Sequence, residues 1–264
     1  MDSYREILNQ RLKPINPNIL DVESKLANFA LINYALPKSR LEKYIPADRF
    51  EIPELDINGE KMALMSAVPF LDEDFKFTKL FPFKSFRFMQ TNFRVYVVDK
   101  QTKEQVVWFF GTTLGAYYVY IPKILWKIPW HYAKYQTDFD YDNSKKKYNR
   151  FKVKSESDWC SSDINIFDTG EPVESHSGFE NLDAIKLILT HPVQGFFHRT
   201  DDKLGTYSVW HKELEITKGT ANGIYFSLYE RLGLLSKEEM NNPISIFICP
   251  EIVFQVILPP HRVK

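Results

Sequence analysis

The stretch from Gln90 to Trp130 does more than any other to limit what this chain can fold into. Gln90 to Val98 is rich in β-branched and aromatic residues, Asp99 to Glu104 is a polar turn, and Gln105 to Phe110 is β-rich again. Two such runs around a short polar loop predict a hairpin, although no Asn-Gly or Gly-Gly pair fixes the turn type. The first run alternates, with Asn92, Arg94 and Tyr96 on one face and Phe93, Val95 and Val97 on the other. The second run, Val106-Val107-Trp108-Phe109-Phe110, is apolar on both faces and must be covered on both. For an antiparallel pair this means a barrel, or a sandwich, with something packed outside it. The Asn92, Arg94 and Tyr96 face then looks into a cavity rather than into solvent.

Composition narrows the functional classes. The 264 residues can bury a large core, and 21 Phe and 14 Tyr argue for a strand-rich fold and against disorder. Lys+Arg equals Asp+Glu at 34 each, so no global field draws in nucleic acid, and no nucleic-acid partner is expected. Two cysteines, Cys160 and Cys249, do not make a disulfide framework. A reduced, cytoplasmic setting is the expectation, and Met1 to Glu6 lacks the apolar core of a signal peptide. Gln105 to Pro122 carries no charge, but Gly111, Thr112, Thr113 and Gly115 interrupt it, so a strand, a turn and a short helix are expected instead of a transmembrane span.

Along the chain, Ser3 to Lys13 predicts an amphipathic helix capped by Ser3, ended by Pro14 and Pro17. Residues 1–20 are therefore read as a helical extension and 21–264 as the β-domain. Ala27 to Leu36 predicts a strand, Pro37 to Lys43 a short helix, and Lys61 to Phe70 a strand leaving its sheet at Pro69. Asp72 to Pro82 is expected to be a loop over the mouth. Ala116 to Lys127 predicts a short helix broken by Pro122. Tyr135 to Asp142, Tyr148 to Ser155, Asp158 to Phe167 and Thr206 to Thr217 predict strands, with Tyr207, Val209, His211 and Glu213 on one face of the last. Leu182 to Thr190 and Phe226 to Leu235 have helical period, and Ser236 caps a further turn. Two final strands, Ile244 to Cys249 and Ile252 to Leu258, are expected around Pro250.

Familiar catalytic devices are absent: no Gly-rich phosphate loop, no Gly-x-Ser-x-Gly, no His-Glu-x-x-His and no Cys-x-x-Cys. The six histidines show no metal-ligand spacing, so no metal and no cofactor are expected. Ser175-His176-Ser177 reads as surface loop, and Lys145 to Lys147 with Arg150, Lys152 and Lys154 as a solvated turn leading into an edge strand guarded by lysines. Arg94 in a lumen is expensive unless paired, and its planar fork suits a carboxylate from the protein or from a ligand. Asn92, Arg94, Tyr96 and His211 are accordingly the candidate ligand-binding residues.

The Asn92-x-Arg94-x-Tyr96-Val97 strand, Val107-Trp108-Phe109, Pro129-Trp130-His131-Tyr132-Ala133 and Val209-x-His211 together resemble the YqjF-like uncharacterised family (domain of unknown function 2071), over Ala27 to Leu258. That family is grouped with the acetoacetate decarboxylase-like superfamily. The resemblance implies a mainly β (α+β) fold, a single antiparallel β-barrel with an internal pocket and a few peripheral helices. The superfamily's best-known member decarboxylates a β-keto acid through a lysine Schiff base, its nucleophile lying in a Pro-Lys-Lys stretch. Pro122-Lys123-Ile124 falls at a similar place, so the resemblance makes Lys123 the candidate nucleophile, with Ile124 replacing the second lysine. Burial beside Tyr118, Tyr120, Ile124 and Trp126 is one means of lowering the pKa of Lys123, and Lys127 is a candidate second cation. Three functions are open at this point: a pocket for a small carboxylate or carbonyl compound, a Schiff-base decarboxylase or aldolase-type enzyme, and an aromatic face for a partner protein or membrane. A homo-oligomer is compatible with all three.

Overall fold

The computed structural model describes residues 3–16, 18–79, 83, 85–117 and 120–263, with side chains at all of these but 121, 122 and 261. Pro17, Tyr118 and the end of the 72–82 segment, named above, lie outside them. The fold is mainly β. Its strands are β1 (Val22–Leu36), β2 (Phe50–Glu51), β3 (Leu55–Ile57), β4 (Glu60–Phe77), β5 (Phe86–Asp99), β6 (Gln105–Leu114), β7 (Trp130–Tyr132), β8 (Lys134–Asp142), β9 (Lys147–Glu156), β10 (Ser162–Pro172), β11 (Gln194–His198), β12 (Leu204–His211), β13 (Thr217–Phe226) and β14 (Ser245–Arg262). The helices are α1 (Tyr4–Arg11), α2 (Tyr120–Trp126), α3 (Leu182–Ile185), α4 (Ser227–Arg231) and α5 (Lys237–Met240), with a π-turn, Lys186–Thr190, continuing α3.

The ladder returns on itself. It runs β1-β4-β5-β6-β11-β12-β14, and β14 pairs back onto β1, which closes a ring of seven strands. On its other edge β14 pairs with β13 at Ile246 to Ile248 and with β12 from Phe254 onward, so the sheet branches there. From β13 an arm continues through β10 and β9 to β8. Pairing is mostly antiparallel. The exceptions are at β6, which runs parallel to both β11 and β7, because the chain between them crosses over through α2 and the α3 region.

Two cores explain why the ring strands are apolar on both faces. One takes Phe29 and Leu31, Leu64 and Val68, Tyr96, Val107 and Phe109, Phe197, Tyr207, Phe247 and Phe254, which come from all seven ring strands. This face is the inward one, because the Arg94 charge of β5 acts on Tyr207 and His211 of β12, three strands further round the ring. The other core joins the opposite faces of the ring strands, such as Phe93, Val95 and Trp108, to Phe151, Ile164 and Phe226 of the arm and Tyr229 of α4. The arm is the outer cover that the second hairpin strand required. The Gln90-to-Phe110 hairpin forms as expected, through register Val98 to Gln105. Ser3 caps α1 through a capping box with Glu6, and Ser236 does the same for α5 with Glu239.

Several expectations are corrected. Strand β4 does not leave its sheet at Pro69 but continues to Phe77. The pairing of β1 with β4 is irregular between Ala27 and Ile32, where Pro69 would otherwise owe a hydrogen bond, so its missing N–H costs nothing. The expected loop from Asp72 is strand as far as Phe77. Pro122 sits in the first turn of α2, where no helical N–H bond is needed, and Lys127 at φ 58 ends the helix. The two last strands are one, β14, running through Pro250. The Thr206-to-Thr217 strand stops at His211, and Glu213 instead binds Arg5 at 3.0 Å and Lys186. The lysine-bearing β9 lies between β8 and β10; the edge strand is β8. Cys160 and Cys249 are buried and free.

Candidate functional site

The inward face of β5 presents Gln90, Asn92, Arg94 and Tyr96 in succession. An arginine on this face needs partners, and its neighbours supply neutral ones. Its Nε donates to Ser66 Oγ of β4 at 2.9 Å, and one terminal nitrogen donates to the Leu189 carbonyl at 3.1 Å and the Tyr96 hydroxyl at 3.3 Å. The guanidinium also lies 5.3 Å from the Tyr96 ring centroid. Tyr96 in turn donates toward Asn33 Oδ1 at 3.1 Å and the Leu189 carbonyl at 3.2 Å, and Asn33 is held by Ser245 at 3.0 Å. Among the described residues, no carboxylate pairs with Arg94.

The Leu189 carbonyl is available because the backbone there is a π-turn, whose wider winding redirects carbonyls from the helix ladder. That turn is fixed from outside by Asn181, which caps α3 with a 2.9 Å bond from the Ala184 N–H, and by Arg11 of α1, which donates to the His191 carbonyl at 2.6 Å. The N-terminal helix thus braces the turn that holds Arg94.

His211 lies on the inward face of β12, buried, with its ring stacked 4.1 Å from Phe254 and tilted against His191 at 4.3 Å. Its Nδ1–H donates to the Lys212 carbonyl at 2.7 Å. Burial, reinforced by the neighbouring His191 and Arg94 charges, lowers its pKa to about 3; burial likewise lowers that of His191 to about 4. Both rings are neutral at physiological pH and leave Arg94 as the cation of the β5 face, while Arg11 approaches His191 from α1. Asn92 is committed within the site, accepting from Thr112 Oγ1 at 2.7 Å and from Gln90 at 3.0 Å. The inward groups therefore form a graded surface: a cation with its braces, then amides and hydroxyls toward α2.

One inward acid stands apart. Asp72 accepts from Ser24 at 2.7 Å, its other oxygen has no partner among the described residues, and burial raises its pKa to about 7. Ser66 pairs with Arg94 and Asp72 with Phe88, so six residues of strand, roughly 20 Å, separate the two. Asp72 is not the counter-ion of Arg94.

Arg94, Tyr96 and His211 are thus brought together, with Asn92 next along the strand. Lys123 lies on α2, half-buried like Trp126, while Ile124 and Leu125 are exposed. Lys123 and Trp126 are three apart and share a helix face, and Trp126 packs on the inner core. The nearby Lys123 charge contributes, after burial, to lowering the pKa of His131 to about 4. Sequence reasoning missed Ser66, Asn33, His191 and Leu189. Ser66 was the only one with a signal, as the lone hydroxyl in the run Ala63 to Pro69; a carbonyl released by a π-turn leaves no trace in side-chain pattern.

The fold, a seven-strand ring with an outer arm, is similar to that of solved acetoacetate decarboxylase-like enzymes. One such enzyme from Sphingomonas wittichii RW1 superposes with a TM-score of 0.58 at 9% identity, covering 94% of each chain. The acetoacetate decarboxylase of Legionella pneumophila gives 0.55 at 11% identity, covering 100% of this chain and 96% of that one. The enduracididine biosynthesis enzyme MppR complexed with pyruvate gives 0.56 at 8% identity, covering 95% and 92%. These likenesses concern the fold. In sequence, residues 23–252 match DUF2071, described as an uncharacterized conserved protein, and the chain belongs to that family. No curated protein matches it.

Proposed function

We propose that the ring is a barrel whose interior binds a small carboxylate, with Arg94 as its anchor. The observation that carries this reading is a guanidinium turned into the ring with only neutral partners, Ser66, Tyr96 and the Leu189 carbonyl, among the described residues. A half-buried cation without a counter-ion is costly, and a ligand carboxylate received in the fork geometry offsets that cost. The neutral His191 and His211 add no second charge, which suits one carboxylate better than two. Asn92, Gln90 and Thr112 then face the remainder of the ligand, where a carbonyl or hydroxyl fits. A structural neighbour complexed with pyruvate agrees with this class. The test is thermal unfolding with a panel of 2-keto and β-keto acids. Acids should raise the midpoint of the wild type and leave Arg94→Met unchanged; equal shifts in both would remove Arg94 from the site.

A second reading makes the protein a Schiff-base enzyme, a decarboxylase or aldolase acting through Lys123. It is favoured by the place of Lys123 on the helix face shared with Trp126, and by its lack of an ion-pair partner among the described residues. In this chemistry the amine adds to a ketone carbonyl, water leaves, and the iminium accepts the electron pair released with carbon dioxide. Borohydride reduction in the presence of a keto acid should then add a ligand-sized mass that Lys123→Ala lacks. No adduct under conditions that label a known imine-forming enzyme would leave the binding function alone.

A further inference from the structure

The two chain segments flanking β5 and β6 carry a surface that the ligand reading does not use. The start of β5 lies beside the end of β6, with Gln90 opposite Leu114, so the 78–85 segment and the 115–127 segment leave the ring at the same end. The first residues of β1 are there too, since Val22 pairs with Phe77. Of nine exposed large hydrophobic side chains among the described residues, seven belong to these segments: Phe83, fully exposed, Tyr117, Tyr120, Ile124 and Leu125, with Ile19 and Leu20 just before β1. Single exposed apolar residues need no explanation, whereas a concentration of them at one end does.

Charge on the two segments is one-sided, and the acids beside them on β1 and β4 are paired, Glu23 and Asp74 with Lys76 and Glu73 with Lys25. No Asp or Glu occurs from Phe75 to Val98 or from Gln105 to Thr137. Among the described residues, Lys79, Arg87, Lys123 and Lys127 have no ion-pair partner, whereas Lys25 pairs with Glu251 and Arg150 with Asp138. The neighbouring β11–β12 turn carries two acids, Asp201, held by Arg199 at 2.8 Å, and the exposed Asp202.

We propose that this end of the ring docks onto an anionic lipid surface. Aromatic and aliphatic side chains among unpaired lysines and arginines match the interface of a bilayer, where rings and alkyl groups enter the headgroup layer and cations meet lipid phosphates and carboxylates. A second copy of the chain is the poorer occupant, because a two-fold contact sets four unpaired cations against four. No helix among the described residues is long and apolar enough to cross a membrane, so the contact is peripheral.

The test is cosedimentation of the full chain with extruded phosphatidylcholine vesicles, with and without about 30 mol% phosphatidylserine, near physiological ionic strength. The expected result is binding to the anionic vesicles and none to the neutral ones. Lys79→Glu with Arg87→Glu should weaken binding about tenfold or more. Ile124→Glu with Leu125→Glu, and separately Phe83→Ser, should abolish or sharply reduce it with thermal unfolding unchanged, as expected for exposed positions. No binding, or equal binding to both vesicles, overturns the proposal. So does a concentration-dependent dimer, or a copurifying protein, that Ile124→Glu with Leu125→Glu removes without any vesicle binding. None of these readouts depends on Arg94, so failure here leaves the carboxylate reading standing.

Discussion

Asp72 and the two inward histidines respond to pH in opposite senses. The unfolded carboxyl titrates near 3.9 and the folded one near 7, so the native state binds the extra proton between those values. Its contribution is present at low pH and is lost as pH rises through 7. Asp72→Asn should therefore be close to neutral at pH 5 and stabilising by about 2 kcal/mol at pH 8, read from urea unfolding at both pH values. For His191 and His211 the folded values, about 4 and about 3, lie below the unfolded value near 6.5. Here the unfolded state binds more protons, so stability is complete above 6.5 and is lost as pH falls from 6.5 toward 4. His211→Phe, which retains an aromatic ring against Phe254, should flatten the acid limb of the stability profile. An unchanged limb would show that the ring is not buried neutral. Of these residues His211 was legible from the alternation of its strand, and Arg94, Asn92 and Tyr96 from theirs. Asp72 was not, because an acid following Pro69 in a charged segment reads as loop until the strand is seen to continue.

At the scale of elements, the hairpin of β5 and β6 is held at its far end by close backbone contact. A Cβ at Gly111 would lie 2.8 Å from the Trp159 indole and 2.9 Å from the Pro129 carbonyl. Gly111 pairs with Phe93 where the register shifts, so the strand has little room to move away. Gly111→Val should cost about 2–3 kcal/mol in chemical denaturation and shift the fluorescence of Trp159; a cost within about 0.5 kcal/mol would place the indole elsewhere. Periodicity made most of this level readable: the hairpin, the capped helices α1 and α5, and the alternation of β8 and β9 follow from local pattern. It failed where pairing overrides local chemistry. Prolines ended strands on paper at Pro69 and Pro250, yet an irregular register absorbs one and a long central strand carries the other. Strand β11, Gln194–His198, is short, contains Gly195 and is set by its parallel pairing with β6, which no local signal announces.

At the scale of the molecule, closure of the ring through the pairing of β14 with β1 turns one face of every ring strand inward. Double coverage of β6 was visible in its unbroken apolar run, whereas the strand order that closes the ring rests on contacts far apart in sequence and was legible only through family resemblance. The bracing of the π-turn by α1 belongs to this scale. Removing residues 3–13 would take away the buried Leu8 and leave the His191 carbonyl without its Arg11 donor, and should weaken carboxylate binding by about fivefold or more while the ring remains folded by circular dichroism. Unchanged affinity would make the helix a mere appendage. The central claim is that Arg94 receives a ligand carboxylate inside the ring. Isothermal titration of a 2-keto acid and of its uncharged methyl ester into wild type and Arg94→Met tests it most directly. The account predicts saturable binding of the acid to the wild type alone, with neither the ester nor the variant giving heat beyond dilution. Equal affinity for acid and ester, or binding retained by the variant, would contradict it.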